Sequence, residues 1–366
     1  MPAKHMEEYR DRALSKAILK QIEAISTKKL QLMEVCGTHT TAIFRSGIRK
    51  MLPEVISLIS GPGCPVCVTA QAEIDGFIAL SRKKDVIVTS FGDLIRVPGS
   101  RSSLQREQAD GADIRIVYST LDALEIAKKN PDKQVVFLGV GFETTAPTIA
   151  AAIISVDTMK LDNFSVFSAN KLVPPALEAL LENPDIRVDG FILPGHVSVV
   201  IGEKAYRPVV EKYNMPCVIA GFEPTDILQA VYILISQIDT KDPKLENAYR
   251  RAVTVSGNEK AQQIIEQVFE VKDATWRGIG VIPASGLKIR AAFEALDAQK
   301  RFDIDIPKTE DPKGCECGKI LTGLMTPPDC SLYGKACRPE SPIGPCMVSS
   351  EGTCAAYYKY QGENSV

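Results

Sequence analysis

The groups in this sequence best able to do chemistry are its ten cysteines, and they are unevenly spread along 366 residues. Cys36, Cys64 and Cys67 lie near the start, Cys217 stands alone, and Cys315, Cys317, Cys330, Cys337, Cys346 and Cys354 crowd the end. Two thiols spaced as in Cys64-Pro-Val-Cys67 can close a small disulfide or share one metal, and the proline limits the backbone between them. The pair is expected in a loop leading into a helix, whose positive N-terminal end favours a thiolate. In a cytosolic α/β protein such a pair ordinarily reads as thioredoxin-like redox chemistry. The bland alternative, two small buried hydrophobes, sits poorly with the glycines and prolines around it in Gly-Pro-Gly-Cys-Pro-Val-Cys. Cys36 alone would read as a core filler. With His39 three residues later, at the expected start of a helix, it becomes a candidate third ligand. Cys217, inside an apolar run, reads as core.

The C-terminal thiols suit either zinc or an iron-sulfur cluster, since both take four soft thiolates. Zinc sites usually show two short paired knuckles, and here only Cys315-Glu-Cys317 is a short pair. The wide spacing of Cys315, Cys330, Cys337 and Cys354 favours thiols gathered by a fold around an iron-sulfur cubane, with zinc the alternative. A tail this rich in Pro, Gly and Cys builds little core, and a metal centre is a plausible substitute.

These groups need a frame to hold them. Short apolar runs predict strands at 30–36, 55–60, 85–91, 113–117, 133–140, 163–168, 188–193 and 216–220. Their continuous rather than alternating hydrophobicity suits parallel strands covered on both faces. Helical patterns lie between them, as at 70–82 with Ile74, Phe77 and Ile78 on one face. Strand-helix alternation predicts an α/β protein with doubly wound parallel sheets. Asn130-Pro131 interrupts the pattern with four strands on either side. The expected layout is therefore a first α/β domain at 27–130, a second at 131–265, and a helical, Cys-rich domain from 1–26 plus 266–366. In that last part, 276–290 is glycine-rich and apolar and a helix is expected at 287–298. Ligands of parallel sheets bind beyond the carboxyl ends of the strands. There the sequence places Cys36-Gly-Thr-His39, the Cys64/Cys67 loop, Asp93, Glu143, His196 and Glu223. The two histidines are equally readable as structural, and Glu143 and Glu223 as caps of the helices that follow. Phe91-Gly-Asp93, Gly141-Phe-Glu143 and Gly221-Phe-Glu223 echo one another, through duplication or a shared way of turning a corner.

Composition excludes several classes. Hydrophobic residues at 45% and charged residues at 24% fit a globular chain and exclude a disordered or fibrous one. A net charge of -2 and 6% aromatics offer no nucleic-acid footprint. No apolar run is long enough for a membrane span. The charged first 25 residues read as an amphipathic helix, with Leu14, Ala17, Ile18 and Ile22 at helical spacing, rather than a signal peptide. The expected compartment is the cytoplasm, where thiols stay reduced. No GxxxxGK[ST] phosphate loop is present.

Taken together, MEVCGTHT, GPGCPVC, FGDLIRVPGS, GFETTAP, LPGHVSV, AGFEP and GPCMVSSEGTCAAYY resemble the HypD family of hydrogenase maturation proteins. The resemblance runs from about residue 30 to 360. It implies a scaffold for the Fe(CN)2CO unit of nickel-iron hydrogenases. That scaffold works with the small chaperone HypC and receives cyanide made by HypF and HypE. It implies that Cys36 ligates the iron under construction, with Cys67 a second ligand or redox thiol and Cys64 its partner. It implies a 4Fe-4S cluster on Cys315, Cys330, Cys337 and Cys354, with Cys317 and Cys346 as possible replacements. Glu351 and His196 match further motif positions. Many members carry a second histidine where Thr41 stands here, so His39 is alone in its loop. Soft thiolates suit iron with strong-field ligands, and a cluster near a dithiol could pass it electrons. Such a protein is an assembly factor rather than a turnover enzyme. Two other readings fit the cysteines: a stand-alone iron-sulfur-dependent thiol-disulfide oxidoreductase, and a zinc-stabilised interaction protein.

Overall fold

In a computed structural model, residues 11–304, 306, 309 and 311–361 are described. Two parallel sheets form from nine strands: β1 (Leu30–Glu34), β2 (Ile56–Ser60), β3 (Val86–Ser90), β4 (Asp113–Ile116), β5 (Gln134–Gly139), β6 (Phe164–Ser168), β7 (Gly190–Pro194), β8 (Cys217–Ala220) and β9 (Leu245–Asn247). Eight are the expected strands, within two residues at each end. The ninth, Leu-Glu-Asn, is too short and polar to register as a strand in sequence; it forms because β8 offers it an open edge.

One sheet has the order β2-β1-β7-β8-β9 and the other β4-β3-β5-β6. All pairings within them are parallel. The α/β, doubly wound expectation holds, but the division at Asn130-Pro131 does not follow the sheets. β5 lies beyond that dipeptide and pairs with β3, from Val86–Gln134 to Thr89–Phe137. Asn130-Pro131 is an ordinary helix-to-strand turn, closed by the Asn163 amide donating to the carbonyls of Ala127, Asn130 and Lys133. The sheets part after β2 instead, and the chain returns to the first sheet at β7. The 27–130 and 131–265 boundaries therefore cut through the four-stranded sheet.

Helix α1 (Arg12–Ile25) does not join the Cys-rich tail either. It packs on the long helix Pro224–Thr240: Ser15 Oγ lies 3.2 Å from Thr225 Oγ1, and Ile22 enters the core with Ile227 and Val231. The glycine-rich 276–290 segment belongs to an antiparallel hairpin, β10 (Phe269–Trp276) and β11 (Gly280–Ile289). The helix expected at 287–298 is displaced by β11 and a 3-10 turn at Ala291–Leu296. Ala274 and Trp276 are buried at strand spacing, while a register shift between Lys272 and Ala274 breaks the period that would have marked the strand in sequence.

The five-stranded sheet positions the candidate site. Leu32, Ile192 and Val218 face a core shared with Ile43, Ile227 and Val231. Met33, Phe191, Leu193 and Ile219 face the opposite core, which is continuous with the tail cysteines and Trp276. The order places β1 between β2 and β7, so the loops after residues 34, 60 and 194, distant in sequence, become neighbours at one carboxyl edge. That edge is the topological switch point where such sheets bind ligands. Among the described residues no helix is long and apolar enough to cross a membrane.

Candidate functional site

Cys36 stands at the N-cap of helix α2 (Gly37–Ser46), directly after β1. The loop after β2 is laid against it by glycine. Gly61 N–H donates to Glu34 O at 2.7 Å, and Gly37 N–H donates to Gly63 O at 3.0 Å. A Cβ on Gly63 would lie 2.2 Å from the Cys36 nitrogen, so only glycine allows this approach. Gly37 serves the tail likewise: a Cβ there would meet Glu351 Cβ at 2.4 Å. Thr38 Oγ1 donates to Glu351 Oε1 at 2.7 Å, and Thr41 Oγ1 to Ser350 O at 3.3 Å. The residue in place of a second histidine thus ties the tail to α2.

Asp93 fixes the same tail segment from the four-stranded sheet. Its Oδ2 accepts from Ser350 N–H at 3.0 Å and from the hydroxyls of Ser349 and Ser350 at 3.2 Å each. Asp93 is therefore a positioning residue rather than a ligand at the rim. Asp93→Ala is expected to cost about 1.5–3 kcal/mol in urea unfolding, the worth of hydrogen bonds to a charged acceptor.

Both candidate histidines reach the Cys36 edge. Phe222, in the loop after β8, lies between them, 4.6 Å from the His39 ring centroid and 4.0 Å from that of His196. His39 is fully buried, and burial pushes its pKa down to about 4, so it is neutral near pH 7. Its Nε2 is 2.8 Å from Gly221 O, and a carbonyl can only accept. Nε2 thus carries the proton, and Nδ1 keeps a buried lone pair without a partner among the described residues. His196 is exposed at the rim; partial burial lowers its pKa while nearby Glu351 opposes the shift. Burial pushes the Cys36 thiol up to about 12, against the backbone amides of His39 and Thr38. It is a thiol at neutral pH, and a metal would have to displace its proton.

Glu34 escaped the sequence reading. It ends β1, 1% exposed, with Oε2 accepting Cys36 N–H at 3.2 Å and Oε1 accepting the Thr40 hydroxyl at 2.6 Å. The visible signal was a lone acid within an apolar strand. Burial raises its pKa to about 7 despite those donors.

Glu143 is buried too, but not as a cap of the helix that follows it. Its Oε1 accepts Val173 N–H at 2.9 Å, at the start of the helix Val173–Glu182. Its Oε2 has no partner among the described residues, and burial raises its carboxyl from 4.5 to about 7. A carboxyl whose pKa rises on folding binds more protons folded than unfolded, so stability falls as pH climbs from about 4.5 to above 7. Glu143→Gln is expected to match the parent near pH 4.5 and to exceed it by about 3 kcal/mol at pH 8, read by urea unfolding at both pH values. Glu223 stands at the N-cap of Pro224–Thr240, where its N–H donates to Asp226 Oδ2 at 3.2 Å. Cys217 is buried in β8, as expected.

Cys64 and Cys67 are joined as a disulfide, so in this oxidation state neither offers a thiolate to iron. The short helix Pro65–Val68 between and beyond them is the helix start expected there. Cys67 Sγ lies 3.9 Å from Pro345 O, next to Cys346. Beyond that contact the tail thiols converge. Cys315, Cys317, Cys330, Cys337 and Cys354 line one small cavity with Tyr333 and Met347. Cys317 and Cys346, left outside the proposed ligand set, belong to this group. Their thiols hydrogen-bond to that of Cys354 and hold it down, while Cys346 itself is pushed up by Cys317 and Cys354. The Cys315 thiol is pushed far up, first by Cys317 and then by burial. Among the described residues no three His, Cys, Asp or Glu side chains stand in ready metal-ligating geometry. The donor chemistry nevertheless fits an iron-sulfur cluster: six soft thiols from five separate stretches of the tail meet in an apolar setting.

The family model described as "Hydrogenase formation hypA family" (HypD) matches residues 13–361. The chain belongs to the HypD family. A hydrogenase maturation factor HypD of Rhizobium leguminosarum bv. viciae is 46% identical over 98% of this chain and 95% of its own length. Those of Rhodobacter capsulatus, at 47% over 98% of both chains, and Azotobacter vinelandii, at 46% over 98% and 97%, are similarly close. The chain is thus a hydrogenase maturation factor by family, and the motifs that carried the resemblance are the loops that meet here. CGTH and GPGCPVC lie against each other, PGHV and GFEP bring His196 and Phe222 into a stack with His39 of CGTH, and SSEGTC closes on α2.

Proposed function

We propose that this HypD-family chain is the scaffold on which iron receives its cyanide and carbonyl ligands before delivery to a nickel-iron hydrogenase. Iron is the substrate, and Cys36 is its anchoring ligand. His39, His196 and Glu351 come from the loops that meet beside Cys36 and would contact ligands as they arrive. The partners are a HypC-type small chaperone, which shares the iron, and HypE with HypF as cyanide donor; all of this takes place in the cytoplasm. A 4Fe-4S cluster on the tail thiols, drawn from Cys315, Cys330, Cys337 and Cys354 with Cys317 and Cys346 at hand, supplies electrons one at a time. Reduction of the Cys64–Cys67 disulfide takes two electrons and two protons and yields two thiols. Those thiols can then grip or adjust the iron.

One observation carries this reading: the Cys64–Cys67 pair touches both the Cys36 loop, through Gly63, and the thiol-rich tail, at Pro345. Such an arrangement serves electron flow toward a metal held at Cys36. The disulfide by itself would also suit a stand-alone thiol-disulfide oxidoreductase, but that role leaves Cys36, His39 and Glu351 idle. Infrared spectroscopy of the chain, purified anaerobically with a HypC-type partner, separates the two. Cyanide and carbonyl stretching bands on the complex are expected. A brown, cluster-bearing complex without such bands would leave the oxidoreductase, and a colourless zinc protein would sink both.

A further inference from the structure

Arg277 is an expensive residue to place where it lies. It is 4% exposed, and an uncompensated buried charge costs several kcal/mol. Its backbone and side chain join the two cysteine regions. Arg277 N–H donates to Val68 O at 2.9 Å and its Nε to Thr69 O at 3.0 Å, directly after the Cys64–Cys67 pair. One terminal nitrogen donates to Gln71 Oε1 at 2.6 Å and to Asp311 Oδ1 at 2.9 Å, four residues before Cys315. The other terminal nitrogen is buried with no hydrogen-bond partner among the described residues. The next residue, Gly278, is pressed on Gly318: a Cβ at 278 would fall 2.1 Å from the Gly318 Cα, beside Cys317. Asp311, the counter-charge, has 58% of its side chain exposed, so solvent screens it. The guanidinium is thus a buried positive charge tied on one side to the segment after Cys64–Cys67 and on the other to the segment before Cys315.

We propose that Arg277 sets how readily the tail thiol site accepts an electron, by holding a buried positive charge between that site and the Cys64–Cys67 pair. This rests on the cluster assigned above. Adding one electron to a thiolate-bound cluster raises its negative charge with no change of ligands, and a nearby buried cation stabilises the reduced form. Arg277 immediately precedes the Gly278–Gly318 contact beside Cys317, so its field reaches the charge that reduction adds. Asp311 opposes it from the surface.

The test is a spectroelectrochemical titration of the full chain, reconstituted anaerobically, with iron and sulfide counted per chain. Arg277→Gln is expected to keep its cluster and to lower the reduced-to-oxidised ratio about tenfold at fixed potential, 59 mV for one electron. Arg277→Lys, which keeps the charge, should stay within threefold of the parent. Asp311→Asn, a surface change that leaves the fold alone, should move the ratio the opposite way by at least twofold. Arg277→Gln at the parent's potential, Arg277→Lys shifted as far as Arg277→Gln, or Asp311→Asn unmoved would each overturn the proposal. A parent chain that takes up no iron and sulfide would overturn the cluster assignment beneath it, a result distinguishable by colour before any potential is read.

Discussion

Gly63→Ala is expected to cost about 3 kcal/mol or more and to separate the Cys64–Cys67 loop from the Cys36 loop. The added methyl would lie 2.2 Å from the Cys36 nitrogen, 2.4 Å from the Val35 carbonyl carbon and 2.5 Å from the Cys36 Cα. All three are backbone atoms at the end of a central strand, and none can swing aside as a side-chain tip would. Relief has to come from the Gly63 loop itself. Moving it breaks the bond from Gly37 N–H to Gly63 O and drags the disulfide away from Pro345. Gly92→Ala is the control. Its Cβ would meet only Ile116 Cγ2, at 3.8 Å, so it should unfold within about 0.5 kcal/mol of the parent. Urea unfolding of the three proteins decides the matter, and equal midpoints for Gly63→Ala and the parent would refute the close-packing argument.

What the sequence disclosed, and what it concealed, divide along the range of the interactions. Apolar runs such as Val135–Leu138 announce a buried parallel strand because burial on both faces acts residue by residue. Strand partners are chosen by the whole chain, and nothing local tells β3 to pair with β5 across Asn130-Pro131. The wrong seam followed from reading a turn closed by Asn163 as a boundary. At the site, residue type and strand-end position were enough to mark Cys36, His39, Cys64, Cys67 and His196 as neighbours of one sheet edge. The converging roles of Phe222 and Asp93 were hidden, since a phenylalanine between two imidazoles and an aspartate tying down a serine pair are visible only once β8 and the tail are in place. Cys317 and Cys346 show the same limit. Spacing ranks ligands by their separation along the chain, whereas the tail folds so that Cys354 meets both of these thiols.

Cys36→Ala is expected to leave the fold and the tail cluster intact and to abolish the cyanide and carbonyl bands, a complete loss rather than a graded one. The sulfur is structurally dispensable: Cys36 makes no side-chain cap bond to α2, and its role at the N-cap is met by its backbone. Losing one buried sulfur should cost about 1 kcal/mol, within the range of an ordinary core change. Chemically it is harder to replace. A thiol whose pKa burial holds near 12 stays protonated at neutral pH, so it is inert toward oxidants and disulfides while no metal is bound. An incoming iron alters that balance, because the metal's charge offsets the desolvation that kept the proton on sulfur. Glu34 and Glu351, the acids whose charge opposes a Cys36 thiolate, are the nearest candidates to share the released proton. Anaerobic copurification of Cys36→Ala with the HypC-type partner, followed by infrared, visible absorbance and urea unfolding, reads all three consequences at once. Full-strength diatomic bands in that variant would remove Cys36 from the iron and move the anchoring role to the reduced Cys64–Cys67 pair. A lost visible absorbance would instead mean that removing the sulfur disturbs the contact of α2 with the tail through Thr38 and Glu351, so that Cys36 also supports the tail thiol site.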